Sequence, residues 1–290
     1  MCGEKDLTKK QIIFLGTTAS IPSIERFTQS IAICGSKECV LLDAGEGMQI
    51  RLSSAGIDHR RVKIIAITHI HGDHVHGLLP FIESLGLKIS SQKTAERYTL
   101  KIIAPLNLCK YLYTALDIIK VGYQDENLEI QCAEARHLYQ YDTFITSPSR
   151  EFSLIPIPVE HGYGETYGYY VKTEVKKNTL GLFYSGDGVC GRVCIEKLKV
   201  AKPNIIIHEA TFLDYPMDRA RAYESMHSTV WEAANLAEEV GASLLVLTHI
   251  SARYRDEDLR DYVSRARRVF RGDVVIAEDL AKIPLNIIQI

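Results

Sequence analysis

Apolar runs rich in β-branched residues recur along the chain at 11–15, 30–34, 39–42, 63–68, 100–104, 152–156, 167–172, 180–184, 204–207 and 243–248. Their length and composition predict strands, and the near absence of polar positions within many of them predicts burial on both faces. Between them, apolar residues at helical spacing predict helices at 47–55, 75–87, 106–119, 229–240 and 256–270. Ser228 and Asp256 stand where N-caps are expected, and Gly241 where the fourth helix should stop. Residues 121–150 are polar and weakly periodic, and are expected to form a surface excursion.

Strands and helices interleave with no repeat, low-complexity tract or Pro/Gly-rich linker, which predicts an α/β protein in which residues 1–290 form a single domain. A chain of 290 residues, 46% of them hydrophobic, can bury a core of that size. The formal net charge of −2 gives no overall attraction to polyanions, so binding of nucleic acid must come from a local patch. The first residues carry no apolar stretch behind a basic segment, and no later run is long enough to span a membrane, so a cytoplasmic protein that does not enter membranes is expected. The seven cysteines include no Cys-x-x-Cys pair, and most are expected to act as small buried apolar groups.

The chemistry concentrates where the run 63–68 ends in His69-Ile-His71-Gly-Asp73-His74-Val-His76. Imidazole and carboxylate donors in a turn after a strand suit Zn²⁺, Mn²⁺ or Fe²⁺, and the turn can aim His69 and His71 at one ion while Asp73 and His74 face a second. Three later apolar runs end in Glu160-His161, Gly186-Asp187 and Thr248-His249, which supply the remaining ligands of a two-metal site.

His-x-His-x-Asp-His followed by a His, an Asp and a final His resembles the metal signature of the metallo-β-lactamase superfamily, and this resemblance implies an αββα sandwich. It further implies that His69, His71 and His161 hold one metal, Asp73, His74 and His249 the other, and that Asp187 bridges the two. True β-lactamases of this fold lack the bridging carboxylate. Within the superfamily, His208-Glu209-Ala-Thr211 and His227-Ser228-Thr229 resemble tRNase Z (ribonuclease Z), the tRNA 3′-processing endonucleases, as do Phe14-Leu-Gly-Thr17, Asp43-Ala-Gly-Glu-Gly47 and Thr248-His-Ile-Ser-Ala-Arg253-Tyr254.

The resemblance covers residues 11–280. It implies two Zn²⁺ per chain (Mn²⁺ or Fe²⁺ as alternatives), precursor tRNA as substrate and a homodimer. Asp73, Glu209 and His227 are the catalytic candidates: Asp73 as ligand and acceptor of a proton from the attacking water, Glu209 and His227 as a pair that protonates the leaving 3′-oxygen. Asp43 is expected to support the metal loop, and His76 and His208 to lie behind the ligands. His59 and His137 receive no role beyond that of surface or structural histidines.

The chain departs from the family in three places. Only 26 positions separate His161 from Asp187, too few for the family's tRNA-gripping arm, so two strands and a short turn are expected there. The family's Pro-x-Lys-x-Arg-Asn loop reads Pro22-Ser-Ile24-Glu-Arg26-Phe27, and Gly188-Val-Cys190 follows Asp187 where the family has Thr and Pro. Seven arginines between Arg253 and Arg271, among them Arg260, Arg267 and Arg268, could form a phosphate-binding surface, but four acidic residues share the segment and a solvated helix fits equally. The alternative function is hydrolysis of small phosphodiesters or other esters on the same metal core.

Overall fold

The computed structural model describes residues 10–91, 97–119, 127–162 and 164–288. Fourteen strands form two sheets among these residues. In the first sheet, β14 (Lys282–Pro284), β1 (Gln11–Gly16), β2 (Ser30–Cys34), β3 (Cys39–Leu42), β4 (Val62–Ala66), β5 (Tyr98–Ala104) and β6 (Leu128–Glu134) lie side by side in that order. The second runs β13 (Asp273–Ile276), β12 (Leu244–Thr248), β11 (Ile205–Glu209), β10 (Asn178–Tyr184), β9 (Tyr167–Val175), β8 (Phe152–Pro158) and β7 (Ile145–Thr146).

Continuous apolar strands follow from each sheet having two dry faces. In β1, Ile12 and Phe14 point into the layer between the sheets, while Ile13 and Leu15 point outward. That outer face is covered by α1 (Met48–Ser54), α3 (Leu78–Ser90) and α4 (Leu108–Ile119). β12 repeats the pattern, with Leu244 and Val246 facing inward and Leu245 and Leu247 facing α6 (Arg192–Ala201), α8 (Val230–Val240) and α9 (Leu259–Ala266). Two-residue periodicity thus divides the central strands between two apolar layers, giving the expected αββα sandwich.

Several local expectations are corrected. The 121–150 stretch is not wholly an excursion: β6 extends the first sheet beside β5, the short helix α5 (Ala135–Gln140) follows, and β7 edges the second sheet. Positions 121–126 lie outside the described residues. The polarity of β6 reflects its place as an edge strand, with Leu128 alone in it buried. Helix α8 is capped by Thr229 and not Ser228: the Thr229 side chain accepts from Trp231 N, and Glu232 reaches back to Thr229 N in a capping box. The last predicted helix begins as a 3₁₀ turn and becomes α-helical at Leu259, with Asp258 at the N-cap position; the side chain of Asp256 is outside the described set.

Six of the seven cysteines form disulfides, Cys34–Cys39, Cys109–Cys132 and Cys190–Cys194, and are not free buried thiols. Spacing could not reveal this, because two of the bridges join elements that only the sheet brings together. Helices α6 and α7 (Pro216–Ser225) escaped the pattern for a different reason. Val193 and Val200 on α6 are exposed, and α7 buries little beyond Asp218 and Ala222, so neither shows a clean apolar stripe.

Strands β9 and β10 form the tight hairpin expected in place of an arm. Its two turn residues, Lys176 and Lys177, both lie at positive φ, as a twist-matched two-residue loop requires. No helix among the described residues is long and apolar enough to cross a membrane.

Candidate metal centre and flanking acid pair

The carboxyl ends of β4, β8, β10, β11 and β12 open on one rim of the sandwich, where chain ends can present polar groups over a rigid scaffold. His69 and His71 follow β4, and a single helical turn, α2 (Gly72–Val75), then places Asp73 and His74. His161 follows β8, Asp187 follows β10, Glu209 ends β11 and His249 follows β12.

The structure brings together all seven ligand candidates. One atom each from His69, His71, His161 and Asp187 falls within 4.8 Å of the others, and the same holds for Asp73, His74, Asp187 and His249. Asp187 belongs to both sets. Its Oδ2 lies 3.8 Å from His69 Nε2, 3.3 Å from His74 Nε2 and 3.3 Å from His249 Nε2. Asp73 Oδ2 lies 3.4 Å from His249 Nε2 and 3.6 Å from His74 Nε2.

Four of the histidines are oriented from behind. Nδ1 of His74 donates to Asp43 Oδ2 at 2.7 Å, Nδ1 of His69 meets Thr68 Oγ1 at 3.0 Å, and Nδ1 of His249 meets Thr211 Oγ1 at 2.9 Å. Nδ1 of His161 donates to the carbonyl of Met226 at 2.8 Å. With Nδ1 used as a donor, each Nε2 keeps its lone pair toward the centre. His69 Nε2, His74 Nε2 and Asp187 Oδ1 are buried without a hydrogen-bond partner, a costly arrangement that divalent cations would relieve. The donor set, nitrogen and carboxylate oxygen, fits zinc-like ions.

Asp43 supports the loop as expected. It is fully buried and accepts from Thr68 N, Thr68 Oγ1, His74 Nδ1 and Tyr184 OH. Its backbone lies at φ 61°, and that of His249 at φ 56°, left-handed conformations that side-chain-bearing residues seldom adopt. Burial favours a neutral His69 and holds it below the ordinary histidine value. It would do the same to His74, but Asp187 and Asp43 outweigh it and raise that group. Burial would also raise the Asp73 carboxyl, yet the His249 hydrogen bond and the charge of His74 hold it well below the usual range and ionised.

Beside this centre, Glu209 is fully buried and its Oε1 accepts from Gly188 N, Ser228 N and His227 Nδ1, while Oε2 accepts from Thr211 N and Oγ1. So many donors leave this carboxylate no free lone pair for a metal and make it an anchor for His227. Gly188 sits at φ 111°, and a Cβ there would come within 2.4 Å of the Glu160 carbonyl oxygen, which accounts for glycine at this position. Burial would lower His227, but the Glu209 carboxylate prevails and pushes it up to about 9. Nδ1 of His227 is 4.0 Å from Asp187 Oδ2.

The remaining histidines behave differently from one another. His208 and His76 do not back the ligands: His208 donates to the Glu209 carbonyl and faces α8, and exposed His76 lies over Gly72. His59 is buried and stacked on Phe81, and His137 is exposed. In the arginine-rich segment, Arg265 on α9 forms a largely buried pair with Asp214, Arg255 and Arg271 outside the helix form exposed pairs with Glu257 and Glu238, and Arg253 stacks over Phe212 next to His227. In the loop 22–27, Ile24 is 95% exposed, and Phe27 packs under the Arg51 guanidinium. A cleft of about 210 Å³ lined by Ile21, Arg26, Ile250 and Tyr254 adjoins His249. Larger cavities, of about 540 and 600 Å³, share no residue with the site, so chemistry and not volume marks it.

Residues 38–250 match the Beta-lactamase superfamily domain, and the chain is a member of that superfamily. It is 33% identical to ribonuclease Z of Saccharolobus islandicus over 95% of this chain and 99% of that protein, and 33% identical to ribonuclease Z of Pyrobaculum aerophilum over 88% and 92%. The chain therefore belongs to the ribonuclease Z family. The structure of human tRNase Z, short form, matches with a TM-score of 0.73 at 25% identity, covering 97% of this chain and all of that one. A metallo-beta-lactamase fold protein from Bacillus subtilis matches with a TM-score of 0.72 at 17% identity over 95% and 99%, a likeness of fold alone.

Proposed function

We propose that this protein is an endoribonuclease that removes 3′ trailers from precursor tRNA by two-metal hydrolysis of a phosphodiester. The observation that carries this reading is that Asp187 belongs to both ligand sets while the Glu209–His227 pair stands at its side. Hydrolysis of small diesters is not favoured, because the curated relatives that match along nearly the whole chain are ribonucleases Z.

In this proposal His69, His71 and His161 hold one ion, Asp73, His74 and His249 the other, and Asp187 both. Zinc is the proposed ion, two per chain, with manganese or iron as substitutes. Bound there, such ions supply a water ionised near neutral pH and neutralise charge on the phosphate. Asp73, kept ionised by its histidine neighbours, accepts the proton of the attacking water. His227, its Nδ1 fixed to Glu209, presents Nε2 to the leaving ribose 3′-oxygen and donates the proton that the departing alkoxide needs. We further propose that residues 1–290 act as one domain, since the layer between the sheets draws on both, and that the protein works as a cytoplasmic homodimer.

The test incubates purified protein with labelled precursor tRNA and with bis(p-nitrophenyl) phosphate, in Zn²⁺ or Mn²⁺ and in chelator. Metal-dependent endonucleolytic cleavage of the precursor is expected. Hydrolysis of the aryl diester with the precursor left intact would overturn the proposal.

A further inference from the structure

We propose that Thr211 is a positioning residue that fixes the tautomer of His249 and ties the metal centre to the His227–Glu209 pair, an inference that rests on the functional reading above. Thr211 is 5% exposed, and its Oγ1 lies 2.6 Å from Glu209 Oε2 and 2.9 Å from His249 Nδ1. A hydroxyl has one proton to give. Of its other contacts, the His249 carbonyl oxygen is neutral and farther away at 3.1 Å, and His227 Nδ1, at 3.4 Å, already gives its proton to Glu209 and cannot accept one, so the hydroxyl proton goes to the shorter, charge-assisted contact with Glu209.

The hydroxyl must then accept from His249, which places that ring's proton on Nδ1 and its lone pair on Nε2, facing Asp73 and Asp187. Glu209 thereby sets the orientation of a ring it does not touch. The same device occurs on the other side of the centre, where Thr68 Oγ1 stands 3.0 Å from Asp43 Oδ2 and 3.0 Å from His69 Nδ1. Two buried carboxylates, each acting through a threonine hydroxyl on an imidazole, hold opposite ends of the ligand array. Only the Thr211 relay also reaches the proposed acid: Glu209 binds His227 through its other oxygen at 2.9 Å, and Thr211 Oγ1 itself stands 3.4 Å from His227 Nδ1.

The experiment compares Thr211→Val, which keeps the shape and removes the hydroxyl, with Thr211→Ser, which keeps the hydroxyl. Metal-free protein is titrated with Zn²⁺ against a chromophoric chelator, and the imidazole nitrogens of His249 are read by ¹⁵N NMR before metal is added. Thr211→Val is expected to bind one of the two ions about 10–100-fold more weakly and to lose the uniform Nδ1–H tautomer, with Thr211→Ser restoring both. A Thr211→Val protein with wild-type affinity for both ions and an unchanged tautomer overturns the proposal. Should Thr211→Val fail to fold, the wild-type spectrum still decides: an Nε2–H tautomer at His249 overturns it and Nδ1–H supports it. A wild-type protein that takes up no metal would instead sink the functional reading, and the tautomer separates the two failures.

Discussion

Nδ1 of His227 lies 2.9 Å from Oε1 of Glu209, a carboxylate that two backbone N–H groups, Gly188 and Ser228, hold at the same oxygen. His227 is thus fixed through one nitrogen and free at the other. His227→Ala should keep its metal content while RNA cleavage falls about 10²–10⁴-fold, the usual worth of general-acid assistance. Bis(p-nitrophenyl) phosphate expels a stable phenolate, so hydrolysis of that ester should be largely spared. Equal loss of both activities, or loss of metal, would show that His227 serves as a ligand or a structural residue.

The unpartnered buried atoms His69 Nε2, His74 Nε2 and Asp187 Oδ1 make metal binding a stability term. At zinc a hundredfold above its dissociation constant, each site adds about 2.7 kcal/mol, so thermal unfolding should shift upward by several degrees and return in chelator. Asp187→Asn, which weakens both sites, should remove most of that shift. A melting temperature indifferent to zinc would contradict the shared-ligand arrangement.

His59 is buried against Phe81, and burial, aided by the charge of Lys88, lowers it to about 4. An unfolded chain takes up this proton near pH 6.5, whereas the folded chain refuses it until about pH 4. Stability should therefore fall as the pH drops through that window and level off below it. Urea unfolding of chelated wild type and His59→Phe between pH 7 and pH 4 should show a shallower decline for the variant; parallel curves would refute the assignment.

Much of the site was legible because ligation demands particular side chains at strand ends. The His69–His74 turn, His161, Asp187, Glu209 and His249 all close apolar runs and all converge. What orients them was less legible. The Met226 carbonyl that holds His161 belongs to no residue type, and Thr211 reads in sequence as an ordinary motif threonine until its distance to His249 is known. In the fold, doubly buried strands were plain, while β6 and α7 were hidden because an edge strand and a mostly exposed helix need few apolar positions. Cysteine pairing across β2–β3 and between α4 and β6 depends on register, which spacing does not encode.

The three disulfides use every cysteine but Cys2. Protein denatured without reductant should react with one equivalent of a thiol reagent, and with seven after reduction. Three or more before reduction would show that at least one bridge is missing.

The left-handed backbone at His249 means that this ligand is held against its own conformational preference, which costs an L-residue about 1–2 kcal/mol. Glycine carries no such penalty. In metal-free protein His249→Gly should therefore be more stable than His249→Ala by about 1 kcal/mol, the reverse of the order expected where φ is negative, as comparison of their unfolding midpoints would show. Selection for the stability of the metal-free scaffold would favour glycine at this position, so a library screened for heat resistance in chelator should drift away from histidine there and lose the catalyst while improving the scaffold.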